Sequence, residues 1–116
     1  MTALVWSPFG NEEQARQVAK LLLEEKLIGC ANIVPGMLSI FEWKGAIDEA
    51  AEVGVLFKTH ADLLDRAIAR IEQLHPYETP AIIGWQGKSA GVATGEWLGL
   101  LAGRQTGAVD DGDGSA

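Results

Sequence analysis

From Ala3 to Phe9 the chain is apolar with a β-branched centre, and Pro8 falls near its end, so this stretch predicts a strand running into a loop at Gly10. A helix is predicted next. Asn11 with Gln14 three residues later has the form of a capping box, and Glu12 and Glu13 sit in the first turn, where the helix dipole favours acids. Ala15, Val18, Ala19 and Leu22 mark the buried stripe, Lys26 closes the last turn and Gly29 supplies a stop.

The signal from Cys30 to Thr59 is strand. Ile33 and Val34 lead into Pro35-Gly36, a break that a strand tolerates at a bulge or an edge. Ile40, Phe41 and Trp43 resume the β-favouring residues as far as Lys44-Gly45-Ala46, which reads as a hairpin turn. Beyond it Ala51, Val53, Val55 and Phe57 alternate with Glu52, Gly54, Leu56 and Lys58, a period of two with one face more apolar than the other. Thr59 and Asp62 open a second helix whose stripe is Leu63, Leu64, Ala67, Ile68, Ile71 and Leu74, stopped where Pro76 forces His75 toward an extended backbone. Pro80 to Trp85 predicts a short last strand, and Glu96 to Leu101 a short C-terminal helix.

Strand, helix, strand, strand, helix, strand is the order of an α+β fold. Two right-handed strand-helix-strand units sharing one antiparallel sheet give the ferredoxin-like βαββαβ sandwich, with both helices on one face. One length does not fit a single chain. The strand from about Ile47 to Thr59 spans ~43 Å at ~3.3 Å per residue, whereas a 15-residue helix is ~22 Å long. The projecting part carries Phe41, Trp43, Ile47 and Ala51. Either a bulge folds it back or another chain covers it, and the Pro35-Gly36 break favours another chain by leaving edge groups free for a partner strand.

Composition narrows the function classes. Sixteen acidic residues against nine Lys and Arg give a net charge of −7, which argues against a phosphate-binding surface and hence against nucleic acid as a partner. The residues from Gly103 to Ala116 hold one sizeable apolar side chain, Val109, so the reading is one domain over residues 1–102 and a flexible acidic tail over 103–116. The single Cys30 closes no disulfide within the chain, no apolar run approaches a membrane span, and the N-terminus lacks the pattern of a signal peptide. Those absences make a cytoplasmic location, with no membrane, the expectation. One thiol with two histidines cannot build a closed structural zinc site from one chain.

The densest chemistry lies in His75-Pro76-Tyr77-Glu78-Thr79-Pro80, where two prolines fix the backbone and present an imidazole, a phenol and a carboxylate in one constrained loop. Imidazole plus carboxylate suits a divalent cation, and one such loop from each of several subunits would complete its coordination. In a structural reading of the same residues, His75 caps the helix through its dipole. Cys30 reads as a small core residue or as a redox or metal-binding thiol, Lys58 as an anion ligand or a solvated strand end, Trp43 and Trp85 as core or interface anchors, and His60 as exposed. There is no P-loop, no G-x-G-x-x-G and no G-x-S-x-G around Ser7 or Ser39.

Taken in order, Cys30-Ala31-Asn32-Ile33-Val34-Pro35-Gly36, then Ser39, Trp43 and Gly45, then Lys58-Thr59, then His75 to Pro80 closely resemble the CutA family, the divalent-cation tolerance proteins. The likeness covers about residues 3 to 101. It implies a non-catalytic ferredoxin-like subunit in a tight homotrimer formed by pairing of sheet edges, related in architecture to the PII signalling proteins. It also implies a link to tolerance of copper and other divalent cations. Carried over to this sequence, it puts His75, Tyr77 and Glu78, with Lys58 and Trp43, near clefts between subunits. The expected sites are therefore His75, Glu78 and Cys30 for a divalent cation such as Cu or Zn, and Lys58, Tyr77 and Trp43 for a small ligand. Phe41 and Thr94 stand where tyrosines are common in the family, Ala81 where a glutamate is common, and Ser7 where some relatives have a cysteine tied to copper. A thiolate is the softer ligand, so Ser7 weakens a copper assignment in particular.

Two other classes are weighed against this one. An acylphosphatase-like hydrolase on the same fold needs an arginine-bearing phosphate loop near the first strand; Trp6 to Asn11 holds none, and Arg16 lies within the helix. An RNA-binding module of similar topology has the rings it needs in Phe41, Trp43 and Phe57, but the charge is of the wrong sign.

Overall fold

A computed structural model describes residues 1–89 and 91–103. Along the chain run β1 (Thr2–Phe9), α1 (Glu12–Glu24), β2 (Cys30–Trp43), β3 (Ala46–His60), a 3₁₀ turn (Ala61–Leu63), α2 (Leu64–Leu74), β4 (Ile83–Gly87) and α3 (Gly91–Leu101). The strands form one antiparallel sheet in the order β2-β3-β1-β4. This is the expected ferredoxin-like α+β sandwich. The expected acidic tail lies outside the described residues except for Gly103.

Period-two burial builds the core. Ala3, Val5, Ser7 and Phe9 of β1 and Val53, Val55, Phe57 and Thr59 of β3 are buried on one sheet face. Ala15, Val18, Ala19 and Leu22 of α1, with Ala67 and Ile71 of α2, close over that face. Phe9 and Phe57 meet edge to face with ring centroids 6.5 Å apart. At its N-terminus α1 carries the Asn11 half of the expected capping box: the Asn11 side-chain oxygen accepts the Gln14 N–H at 2.9 Å.

Several boundaries differ from the sequence reading. α1 ends at Glu24, and the left-handed stop is Lys26 (φ +60) rather than Gly29. Leu27 N–H bonds the Leu22 carbonyl and Lys26 N–H the Leu23 carbonyl, a Schellman closure that compensates the strained φ and buries Leu27. Gly29 serves a close approach instead, since a Cβ there would lie 3.0 Å from Leu101 Cδ1 and 3.1 Å from Leu98 Cδ2 of α3. α2 is entered through the 3₁₀ turn, capped by His60 rather than by Thr59 and Asp62: His60 Nδ1 accepts the Asp62 N–H at 3.0 Å. His60, expected exposed, is buried, with Nε2 3.0 Å from the Met1 amine. β4 begins at Ile83 rather than Pro80: Pro80 has no N–H to give a ladder, and the Ala81 carbonyl is taken by the Ser7 hydroxyl at 2.7 Å. α3 starts at Gly91, five residues before the expected Glu96.

The long hairpin is as predicted. β1 pairs with β3 only from Val53 to His60, so the stretch from Ala46 to Glu52 has β2 as its sole neighbour in the sheet. At Pro35-Gly36 two residues of β2 oppose Val53 alone, a bulge with Gly36 at φ +73. The tip is a two-residue turn with Lys44 at φ +52 and Gly45 at φ +82, the positive pair that matches strand twist. The described chain measures 53 × 24 × 22 Å, with a radius of gyration of 15.7 Å, against ~13 Å for a compact domain of about 100 residues. Among the described residues no helix is long and apolar enough to cross a membrane.

Candidate functional site

Pro76 sets the site by ending α2 at His75, whose backbone is extended (φ −67, ψ 132) while its N–H still bonds the Ile71 carbonyl at 2.8 Å. The extended backbone turns the imidazole inward, where it is buried and stacked on Phe9, ring centroids 4.1 Å apart and planes 16° from parallel. Both ring nitrogens are engaged. Nδ1 accepts the Tyr77 N–H at 3.2 Å, so Nε2 carries the proton and donates it to the Pro8 carbonyl at 2.8 Å. Burial lowers the imidazole pKa, outweighing the opposing effects of the Pro8 carbonyl and the Glu52 charge. The ring is neutral, so the dipole-cap reading of His75 is replaced by a backbone cap and a packed side chain.

Tyr77 follows on the same loop, its ring 4.7 Å from the imidazole and tilted by 54°. The phenol passes over Gly10, where a Cβ would lie 3.7 Å from both its oxygen and its ring edge. Its O–H donates to Glu52 Oε2 at 2.6 Å. Burial raises the phenol pKa, and the bond to Glu52 and the charge of Glu52 raise it further. Glu78 is exposed beside it.

The other expected residues lie elsewhere. Cys30 and Lys58 are cross-strand partners at the far end of β3, and both are half-buried. Among the described residues the Cys30 thiol makes one long contact, 3.8 Å, to the Asn32 side-chain oxygen. Lys58 is six residues from Glu52 along β3, or roughly 20 Å. Trp43 stands at the hairpin tip, 51% exposed, with Lys44 Nζ 5.9 Å from its ring centre. Its partner Ala46 is again six residues from Glu52, in the opposite direction.

Within one chain the six residues therefore fall in three places. Among the described residues no three His, Cys, Asp or Glu side chains are grouped to hold a metal ion. The expected cation ligands do not converge within one subunit: both nitrogens of His75 are engaged, and Cys30 lies across from Lys58 at the other end of β3 from Glu52. Ser7 is fully buried and spent on Ala81. Sequence reasoning missed Glu52, Phe9 and Pro8, which hold the loop; only the alternation in β3 marked Glu52, as one of its polar positions.

Residues 3–99 match the family model described as CutA1 divalent ion tolerance protein. The chain belongs to this family. It is 44% identical to the divalent-cation tolerance protein CutA of Pyrococcus horikoshii over 80 residues, 69% of this chain and 78% of that protein. Against the human protein CutA it is 37% identical over 73 residues, 63% of this chain and 41% of that one. Among solved structures, CutA1 of Ehrlichia chaffeensis superposes with a TM-score of 0.81 at 33% identity, covering 86% of this chain and 94% of its own. A CutA of Archaeoglobus fulgidus, described as periplasmic, gives 0.82 at 29% identity, covering 87% and 98%. Family membership thus carries the fold and the name of divalent-cation tolerance; beside the protein described as periplasmic, a relative from Oryza sativa, 33% identical over 95 residues, is described as chloroplastic.

Proposed function

We propose that the protein is a non-catalytic cytoplasmic homotrimer. In this reading it binds a divalent cation, copper or zinc, or another small ligand in clefts between subunits, and acts in metal tolerance or in signalling of the PII kind. The observation that carries the reading is the sheet face opposite the helices. By register, Leu4, Trp6, Leu56, Val34, Ile83 and Trp85 share that face, and Ile83 is 62% exposed and Trp85 44%. An open apolar sheet continuous with a projecting hairpin, whose Ile47 is 81% exposed, is a surface built to meet other chains.

Assembly also answers the scattering of the site. A neighbouring subunit's hairpin and far strand end can bring Trp43, or Lys58 with Cys30, to the loop that carries Tyr77 and Glu78. Glu78 and Cys30 are the donors proposed for the cation. With both nitrogens of His75 engaged, its part is to hold the loop. The family name supports cation involvement, and the lone unpaired thiol suits a reducing compartment.

Native mass spectrometry and light scattering at micromolar concentration test the assembly. The expected mass is three times 12.4 kDa, and a monomer would overturn the reading. Titration with Cu²⁺ and Zn²⁺ tests the cleft: equal uptake by wild type and by a His75→Ala, Glu78→Ala variant would remove the metal assignment.

A further inference from the structure

The Tyr77 phenol takes its hydrogen-bond partner from outside its own loop. Glu52 is the residue of β3 just past Val53, the last one paired with β1, so it stands where the hairpin leaves the body. Its Oε2 receives the phenol proton at 2.6 Å, the short range of a charge-assisted O–H···O⁻ bond. The loop is thereby held on two strands at once, through His75 on Pro8 and Phe9 of β1 and through Tyr77 on β3.

This bond decides what the phenol offers. A tyrosine hydroxyl has one proton, and with that proton committed the oxygen can only accept from anything else; the second oxygen of Glu52 is an acceptor too. Recognition of an anion such as phosphate favours charged donors, and Lys58, the cation among the expected site residues, lies six residues from Glu52, or roughly 20 Å along the same strand.

We propose that Glu52 is a positioning residue of the cleft: it fixes the Tyr77 phenol and makes it an acceptor, so that the Tyr77–Glu52 pair receives a cation or a protonated donor and rejects anions. The inference rests on Tyr77 lining the cleft, as proposed above.

Tyr77 is the only tyrosine of the chain, so ¹³C labelling of tyrosine rings in the full-length protein reports this residue alone. Glu52→Ala removes the acceptor and is expected to move and broaden the Tyr77 resonances, whereas Glu52→Gln keeps the shape and disturbs them less. Zn²⁺ is expected to shift the wild-type resonances saturably. Glu52→Gln should need about tenfold more Zn²⁺ once the negative charge is gone, with little change in thermal midpoint, and inorganic phosphate should leave the signals in place. The proposal is overturned by Tyr77 resonances indifferent to Glu52→Ala or to Zn²⁺, by an unchanged Zn²⁺ midpoint in Glu52→Gln, or by phosphate acting as Zn²⁺ does. A monomeric wild type would sink the trimer and the cleft with it, while Tyr77 resonances that still respond to Glu52→Ala would leave the positioning of the phenol by Glu52 standing.

Discussion

Thr59 offers the sharpest test of how the fold is tied together. It is fully buried on the helix-facing side of β3, and its hydroxyl donates to the Leu27 carbonyl at 2.8 Å. Leu27 closes the Schellman turn after α1, so this bond, together with the Gly29 N–H on the Lys58 carbonyl at 2.9 Å, pins the α1–β2 connection to the sheet. Thr59→Val keeps the shape and removes the donor. A buried hydrogen bond contributes about 1 kcal/mol net, and a carbonyl left unsatisfied costs about 1–3 kcal/mol. The added methyl returns about 0.8 kcal/mol of apolar burial. The balance is a loss of about 1–2 kcal/mol per subunit. Urea unfolding of both proteins at one subunit concentration reads it as a lower midpoint at unchanged slope. A valine variant as stable as wild type would refute the reasoning.

Gly54→Ala is expected to destabilise the open sheet face, because a Cβ there would stand 2.9 Å from Trp6 Cζ2 and 3.2 Å from Met37 Sδ. Displacing the indole costs about 1–3 kcal/mol; a lower urea midpoint and a changed tryptophan emission are the readouts, and an unaltered midpoint would mean that the ring yields freely. The depressed pKa of His75 predicts a pH dependence of stability with a definite sign. The unfolded imidazole takes up its proton near pH 6.5 and the folded one only below that, so its contribution is full above about pH 6.5 and is lost as pH falls toward the folded value. The slope it adds is at most about 1.4 kcal/mol per pH unit. Stability curves of wild type and His75→Gln from pH 7.5 to 5 should converge toward acid; parallel curves would refute it.

What could be read from the sequence was whatever local chemistry dictates. Asn11 caps because its side chain reaches its own helix, Lys44-Gly45 turns because the tip needs two positive φ angles, and Pro35-Gly36 bulges because proline cannot donate to the ladder. The errors came where tertiary contacts overrule propensity. Lys26, a poor left-handed residue, takes φ +60 because burying Leu22 and Leu27 closes the turn around it, and Gly29 is freed to admit Leu98 and Leu101. The first turn of α3 was hidden by Gly91 and Gly95, which lower helix propensity. His60 looked solitary because the Met1 amine that meets it is distant in sequence.

The candidate site was legible as a list of residue types and illegible as a geometry. His75 reads as a ligand until the Pro8 carbonyl and the Tyr77 amide occupy its two nitrogens. Strand arithmetic constrains the rest. Ala46, Glu52 and Lys58 are spaced by six residues along one strand, so they share a face at intervals of roughly 20 Å. A ligand small enough to sit against Tyr77 at Glu52 cannot also reach Lys58 or Trp43 of its own chain. If all of them contribute to one cleft, at least two chains must supply them. Assembly and ligand recognition are then a single claim, and a monomer that bound ligand through Tyr77 and Lys58 together would be a geometric contradiction.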